Sequence, residues 1–149
     1  MESVPAAEAT EIVAIEHADP GLLAAIVQPL ASFNAAFAGA PGFRPLLFAL
    51  RAAGDGKVLG GLAGEVIYGW LSIQALYVPA PLRGQGIGAR LLGRAEADAR
   101  QRGLSGMVVN TFSFQARPFY ERMGFAHFGT LEDCPPGYRC FYLCKHFTP

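Results

Sequence analysis

The feature that most constrains this chain is the stretch 73–88, IQALYVPAPLRGQGIG, which runs straight into the apolar periodicity of residues 87–99. A β-prone run ends at Pro79 and Pro81, an Arg/Gly turn follows, and a helical pattern opens at once. A strand therefore delivers a loop to the start of a helix. The first N–H groups of a helix have no partner inside it and lie at the positive end of its dipole, so such a junction receives anions. Gly84, Gly86 and Gly88 let an anion lie against the backbone with no Cβ in the way. Arg83 adds a cation, and Gln85 and Ile87 complete the loop.

Length and charge bound what can be built around this junction. At 149 residues the chain has the size of one ordinary domain, read as 1–149 with a frayed start over 1–10. It is 52% hydrophobic with mean hydropathy +0.27, which fits a homodimer surface, the preferred reading, or a lined substrate cleft. No run approaches the roughly 20 uninterrupted apolar residues of a membrane span, and the first residues lack a signal-peptide pattern. Twelve basic and twelve acidic residues give no net charge, which argues against a nucleic-acid partner. Cys134, Cys140 and Cys144 are three and cannot all pair within the chain, so reduced thiols in the cytoplasm are expected. His17, His127 and His146 have no metal-ligand spacing, so no metal is expected.

In chain order, residues 11–17 alternate like a strand, and Asp19-Pro20 signals a helix reaching Phe37, with a break near Pro29. Strands are predicted at 45–51, 57–66 and 70–78, with glycines at 60, 61 and 64 marking a bulge or a close approach. The helix after the loop, with Arg94/Asp98 and Glu96/Arg100 as i,i+4 pairs, ends at Gly103. A buried strand at 107–109 follows, parallel to the strand before the loop because a helix joins them. A short helix is predicted at 116–123, then strands at 125–131 and 139–147.

The motif Arg83-Gly84-Gln85-Gly86-Ile87-Gly88 resembles the Arg/Gln-x-x-Gly-x-Gly/Ala signature of the GNAT N-acetyltransferase superfamily. Residues 116–125, ARPFYERMGF, resemble its Ala-x-x-Phe-Tyr-x-x-x-Gly-Phe motif, about 30 residues further on. The resemblance covers roughly 45–147. It implies an α/β (α+β) fold with a mixed, mostly antiparallel sheet of six to seven strands flanked by helices. A splayed pair of parallel strands would form the slot for acetyl-CoA.

The same resemblance implies an acetyltransferase that moves an acetyl group from acetyl-CoA to the amine of a small molecule or peptide, by direct attack in a ternary complex. The loop 83–88 would hold the coenzyme A pyrophosphate, and the backbone of Leu76, Tyr77 and Val78 would pair with the pantetheine amides. Ala116, Phe119 and Tyr120 would face the thioester, with the dipole of the short helix. Ser113 stands where the family often has an Asn that contacts pantetheine. Tyr120 is the candidate general acid for the leaving thiolate. Many relatives carry a carboxylate on the strand before the loop, where this chain has only Ser72 and Gln74. Glu65, Glu132 and Asp133 are base candidates elsewhere in the chain, and a water relay or a substrate amine of low pKa would need no named base. Phe33, Asn34, Phe37 and Gln74 are expected to line the acceptor pocket, with Tyr138 in a lid where relatives tend to carry His.

Two other readings compete. Residues 84–89 formally satisfy G-x-G-x-x-A, a dinucleotide fingerprint. The Pro79-Ala80-Pro81 spacer and the lack of an acidic residue ending the next strand count against it. A non-catalytic acyl-CoA-binding or sensing module of the same fold would share every cofactor contact and differ only in turnover.

Overall fold

The computed structural model describes residues 3–148, and the chain divides into two compact units, 1–39 and 40–149. In the first, helix α1 spans Pro20–Ala38. Asp19 Oδ1 accepts the N–H groups of Gly21 at 2.8 Å and Leu22 at 3.4 Å, satisfying two of the donors a helix start leaves free. Gly39, at φ 71°, ends the helix. Pro29 lies inside α1 without breaking it, contrary to the sequence reading. α1 has no charged side chain and is, by length and composition, long and apolar enough to cross a membrane. Counting uninterrupted apolar residues missed this, because Gln28, Ser32 and Asn34 punctuate the run. Residues 11–17 form no strand. Alternation makes a strand only where a neighbour takes up its backbone groups, and here none does.

The second unit holds the sheet. Strands β1 (Arg44–Arg51), β2 (Val58–Ile67) and β3 (Trp70–Tyr77) form an antiparallel meander. Helix α2 (Ile87–Gln101) crosses to β4 (Gly106–Phe112), which lies parallel to β3. Helix α3 (Arg117–Arg122) leads to β5 (Ala126–Glu132) and β6 (Arg139–His146). The six strands run in the order β1-β2-β3-β4-β6-β5, with β6 inserted antiparallel beside β4.

The core lies between one sheet face and α2. Leu92, Ala95 and Ala99 of α2 are buried against Leu62, Val66, Leu71, Ile73, Met107, Val109 and Leu143. Lys145 fastens three elements at this face: its ammonium donates to Glu96 Oε2 of α2 and to the Met123 carbonyl behind α3, both at 2.9 Å. Glu96 also pairs with Arg100 at 3.0 Å, as the sequence predicts. Asp98 takes Arg102 at 2.6 Å rather than Arg94, whose guanidinium lies over the Phe48 ring. Glycine is required where strands crowd. A Cβ on Gly64 would stand 2.9 Å from the Ser72 carbonyl, and one on Gly106 would enter the Lys145 carbonyl and the Trp70 ring.

A candidate acyl-transfer site at the fork between β3 and β4

β3 and β4 pair only from Trp70–Ile73 to Gly106–Val109. Above that point β3 continues to Tyr77 and β4 to Phe112 with no pairing between them, so the two strands splay into a fork. The local cause is a bulge. Gly64 faces Ile73 but Ala63 faces Ala75, which leaves Gln74 as an extra residue in β3 at the vertex. An extra residue bends its strand and increases twist, which carries β3 away from β4. The backbone groups of residues 74–77 on one arm and 110–112 on the other are left facing an open slot. On its outer edge β4 still pairs with β6, so the fork has one rigid arm.

The glycine loop stands at the end of the other arm. Gly84 and Gly86 adopt φ of 75° and 77°, a left-handed backbone that favours glycine, and a Cβ there would meet nothing within 4 Å. Among the described residues, the N–H groups of Gly84, Gln85, Gly86, Ile87, Gly88 and Ala89 make no hydrogen bond to backbone or side chain. Arg83 Nε donates to the Val78 carbonyl at 2.8 Å, and its guanidinium lies 5.8 Å from the Tyr77 ring centre, so the cation is held at the loop. Gln85 Nε2 donates to the Pro81 carbonyl at 3.3 Å. The loop is thus shaped from within by two side chains while its N–H groups stay free for an anion.

The two sequence motifs meet here. The point where a Gly88 Cβ would sit is 3.6 Å from Phe119 Cζ and 4.0 Å from Val78 Cγ2, so β3, α2 and α3 converge on one glycine. Leu76 packs partly buried against the core, and Tyr77 is exposed. Ala116 precedes α3, and its carbonyl accepts the N–H groups of Phe119 at 3.0 Å and Tyr120 at 3.3 Å.

Tyr120 is buried, at 6% exposure, against the rings of Phe119 and Phe125. Among the described residues its hydroxyl makes no hydrogen bond, yet its oxygen is not sealed from solvent. Burial pushes the phenol up to about 12. Burial therefore favours the neutral phenol, and what Tyr120 offers at neutral pH is an O–H donor. α3 has only six residues, and we assign its dipole no part.

Other expected residues are placed differently from one another. Ser113 Oγ accepts the Arg139 N–H at 3.0 Å while its own N–H donates to the Arg139 carbonyl, so it closes the β4–β6 ladder at the tip of the fork. Tyr138 packs edge-on against Phe114, which stacks on Phe112, an aromatic ridge beyond the same tip. Glu132 ends β5 opposite Arg139, and Asp133, in the loop that follows, has φ 51° and accepts the Gly137 N–H at 3.4 Å; both are exposed. Phe33 and Phe37 are exposed neighbours on α1, with Asn34 between them, and belong to the first unit.

Sequence reasoning missed the bracket that sets α3. Buried Thr111 donates to Gln115 Oε1 at 3.2 Å and accepts the Ala116 N–H at 3.3 Å; Gln115 Oε1 also accepts the Phe112 N–H. A Thr and a Gln four apart, straddling a strand end and a helix start, were the available signal.

Comparison with known proteins agrees with this geometry. The profile of the Acetyltransferase (GNAT) family matches residues 23–125. The chain belongs to that family. An acetyltransferase of Agrobacterium fabrum is 41% identical over 123 residues, covering 83% of this chain and 89% of the relative. The blasticidin-S acetyltransferase of Streptomyces morookaense is 44% identical over 105 residues, covering 68% of this chain and 77% of the relative. A crystal structure from Agrobacterium tumefaciens, described as an acetyltransferase, superposes with TM-score 0.83 at 38% identity, over 93% of this chain and 100% of that one. This GNAT chain is an acetyl-CoA-dependent acetyltransferase.

Proposed function

We propose that this GNAT enzyme acetylates the amine of a small molecule by direct attack on acetyl-CoA in a ternary complex. The observation that carries the reading is the fork: two unpaired strand edges lead from free loop N–H groups to a buried tyrosine whose hydroxyl has no partner among the described residues. The N–H groups of 84–89, with Arg83, receive the pyrophosphate. Pantetheine runs as an added strand along Leu76 and Tyr77. Val78 offers only the second lone pair of its carbonyl, since Arg83 takes the first. The amine attacks the thioester carbon, a C–N bond forms, and the C–S bond breaks with its electron pair moving to sulfur. Tyr120 stabilises that thiolate by a hydrogen bond and then protonates it.

Glu132, Asp133 and Tyr138 lie beyond the fork's tip and draw a cationic acceptor towards it. We place the chain in the cytoplasm as a homodimer, with its three cysteines as free thiols. The test is acetyl-CoA-dependent thiol release with a panel of amines. Blasticidin S is the first acceptor to try, given the likeness to the Streptomyces enzyme. Release with one amine class, and thermal stabilisation by acetyl-CoA, are expected. The absence of both release and stabilisation would overturn the reading.

A further inference from the structure

The face of the sheet opposite α2 carries one of the three candidate carboxylates, Glu65. Side chains alternate along strands, and the residues of β2, β3, β4 and β6 that face α2 are Leu62, Val66, Leu71, Ile73, Met107, Val109 and Leu143. Their neighbours in the chain therefore point the other way. On that face Glu65 stands directly opposite Ser72, one pair below the last bonded pair of the fork, Ile73 with Val109. Gln74, the bulged residue at the vertex, reaches Glu65: its Nε2 lies 3.5 Å from Glu65 Oε2. Asn110 is the first β4 residue beyond the pairing and stands opposite Tyr142 of β6. The vertex of the fork is thus floored by Glu65, Ser72, Gln74 and Asn110.

Glu65 is only partly exposed, and among the described residues no Lys, Arg or His lies within ion-pair reach of it. Its cross-strand neighbours, Pro45 and Ser72, carry no charge. A half-buried carboxylate gains most from a cation that arrives without solvent between them. Glu132, at the end of β5, and Asp133, in the loop that follows, are by contrast exposed beyond the tip of β4. β3 itself holds no carboxylate, and Glu65 stands on the neighbouring strand β2.

We propose that Glu65 receives the ammonium of the acceptor and takes its proton, with Gln74 as a positioning residue, so that the preferred acceptors are alkylamines cationic at neutral pH. This rests on the acetyltransferase reading above and names its acceptor class. The ammonium gives one proton to Glu65, directly or through one water, and the freed lone pair attacks the thioester carbon. The adduct nitrogen loses a second proton to solvent as the C–S bond breaks, and sulfur takes one from Tyr120. Tyr120 is reprotonated from solvent. One thiol and one net proton are released per amide formed.

The test compares two acceptors, putrescine and aniline, in wild type, Glu65→Gln, Glu65→Asp and Gln74→Ala, alongside thermal stabilisation by acetyl-CoA. Aniline is free base at neutral pH and needs no proton removed before attack. Glu65→Gln should lower kcat/KM for putrescine by about 10²-fold and for aniline by less than about 3-fold. Glu65→Asp should recover most of the putrescine loss, and Gln74→Ala should show an intermediate loss with the same selectivity. Acetyl-CoA stabilisation should be unchanged throughout. Equal losses with both acceptors, no loss with putrescine, or a wild type that prefers aniline would overturn the role of Glu65 and leave the transferase reading standing. A wild type that acetyl-CoA does not stabilise overturns the donor site, and this proposal with it.

Discussion

Replacing Tyr120 by phenylalanine separates chemistry from folding. The hydroxyl makes no hydrogen bond among the described residues, so its removal orphans no partner there and should change stability by no more than about 0.5 kcal/mol. If that hydroxyl serves the leaving thiolate, kcat should fall by about 10²–10⁴, equivalent to roughly 3–5 kcal/mol of barrier. Burial adds a second signature. The folded phenol titrates at about 12, above the ~10 of an unfolded tyrosine. A raised value means stability that is complete below pH 10 and lost as pH rises towards 12, by up to roughly 3 kcal/mol. Tyr120→Phe should lack that alkaline slope, and Tyr120 should impose no alkaline limb on the wild-type rate below about pH 12. Thiol release under saturating acetyl-CoA and amine, with urea unfolding at several pH values, reads both. A Tyr120→Phe enzyme within about 3-fold of wild-type kcat would refute the assignment, leaving Tyr120 as core packing.

Other outcomes follow from single contacts. Gly86→Ala puts a Cβ on a left-handed residue with open space around it; it should cost about 1 kcal/mol in urea unfolding and raise the KM for acetyl-CoA. Gly106→Ala drives a Cβ into the Lys145 backbone and the Trp70 ring, and should cost about 3 kcal/mol or more, seen as a fall in Tm. Lys145→Met leaves Glu96 partly buried with Arg100 alone and should cost about 1–3 kcal/mol. Burial alone pushes the Glu96 carboxyl up, but the hydrogen bonds and charges of Lys145 and Arg100 outweigh it and hold the group below its ordinary value. The stability this supplies is present above the unfolded carboxyl's titration, near ~4.3, and lost as pH falls through the lower folded value, so Lys145→Met should flatten the acid limb of unfolding.

What was legible in the sequence is what local chemistry decides. The loop at 83–88, α2 and the parallel order of β3 and β4 follow from glycine, proline and periodicity, and each stands as read. The glycines of β2 announced crowding, but only pairing shows that the extra residue sits at Gln74 on the partner strand. The partners of Lys145 are 49 and 22 residues away, and Ser113 meets Arg139 across 26; no local pattern encodes such contacts. Residues 11–17 misled for the same reason, since alternation says which face is apolar but not whether a neighbouring strand exists.

The vertex of the fork separates two kinds of inheritance. Donor-handling parts are tied into the core through Gly88, Phe119 and Lys145, so changes there disturb folding and cofactor binding together. Glu65, Gln74, Asn110 and Tyr142 point away from that core, where substitutions usually move stability by less than about 0.5 kcal/mol. Acceptor choice in this protein can therefore drift, or be rewritten in a library at those four positions, while the machinery that activates the acetyl group stays intact.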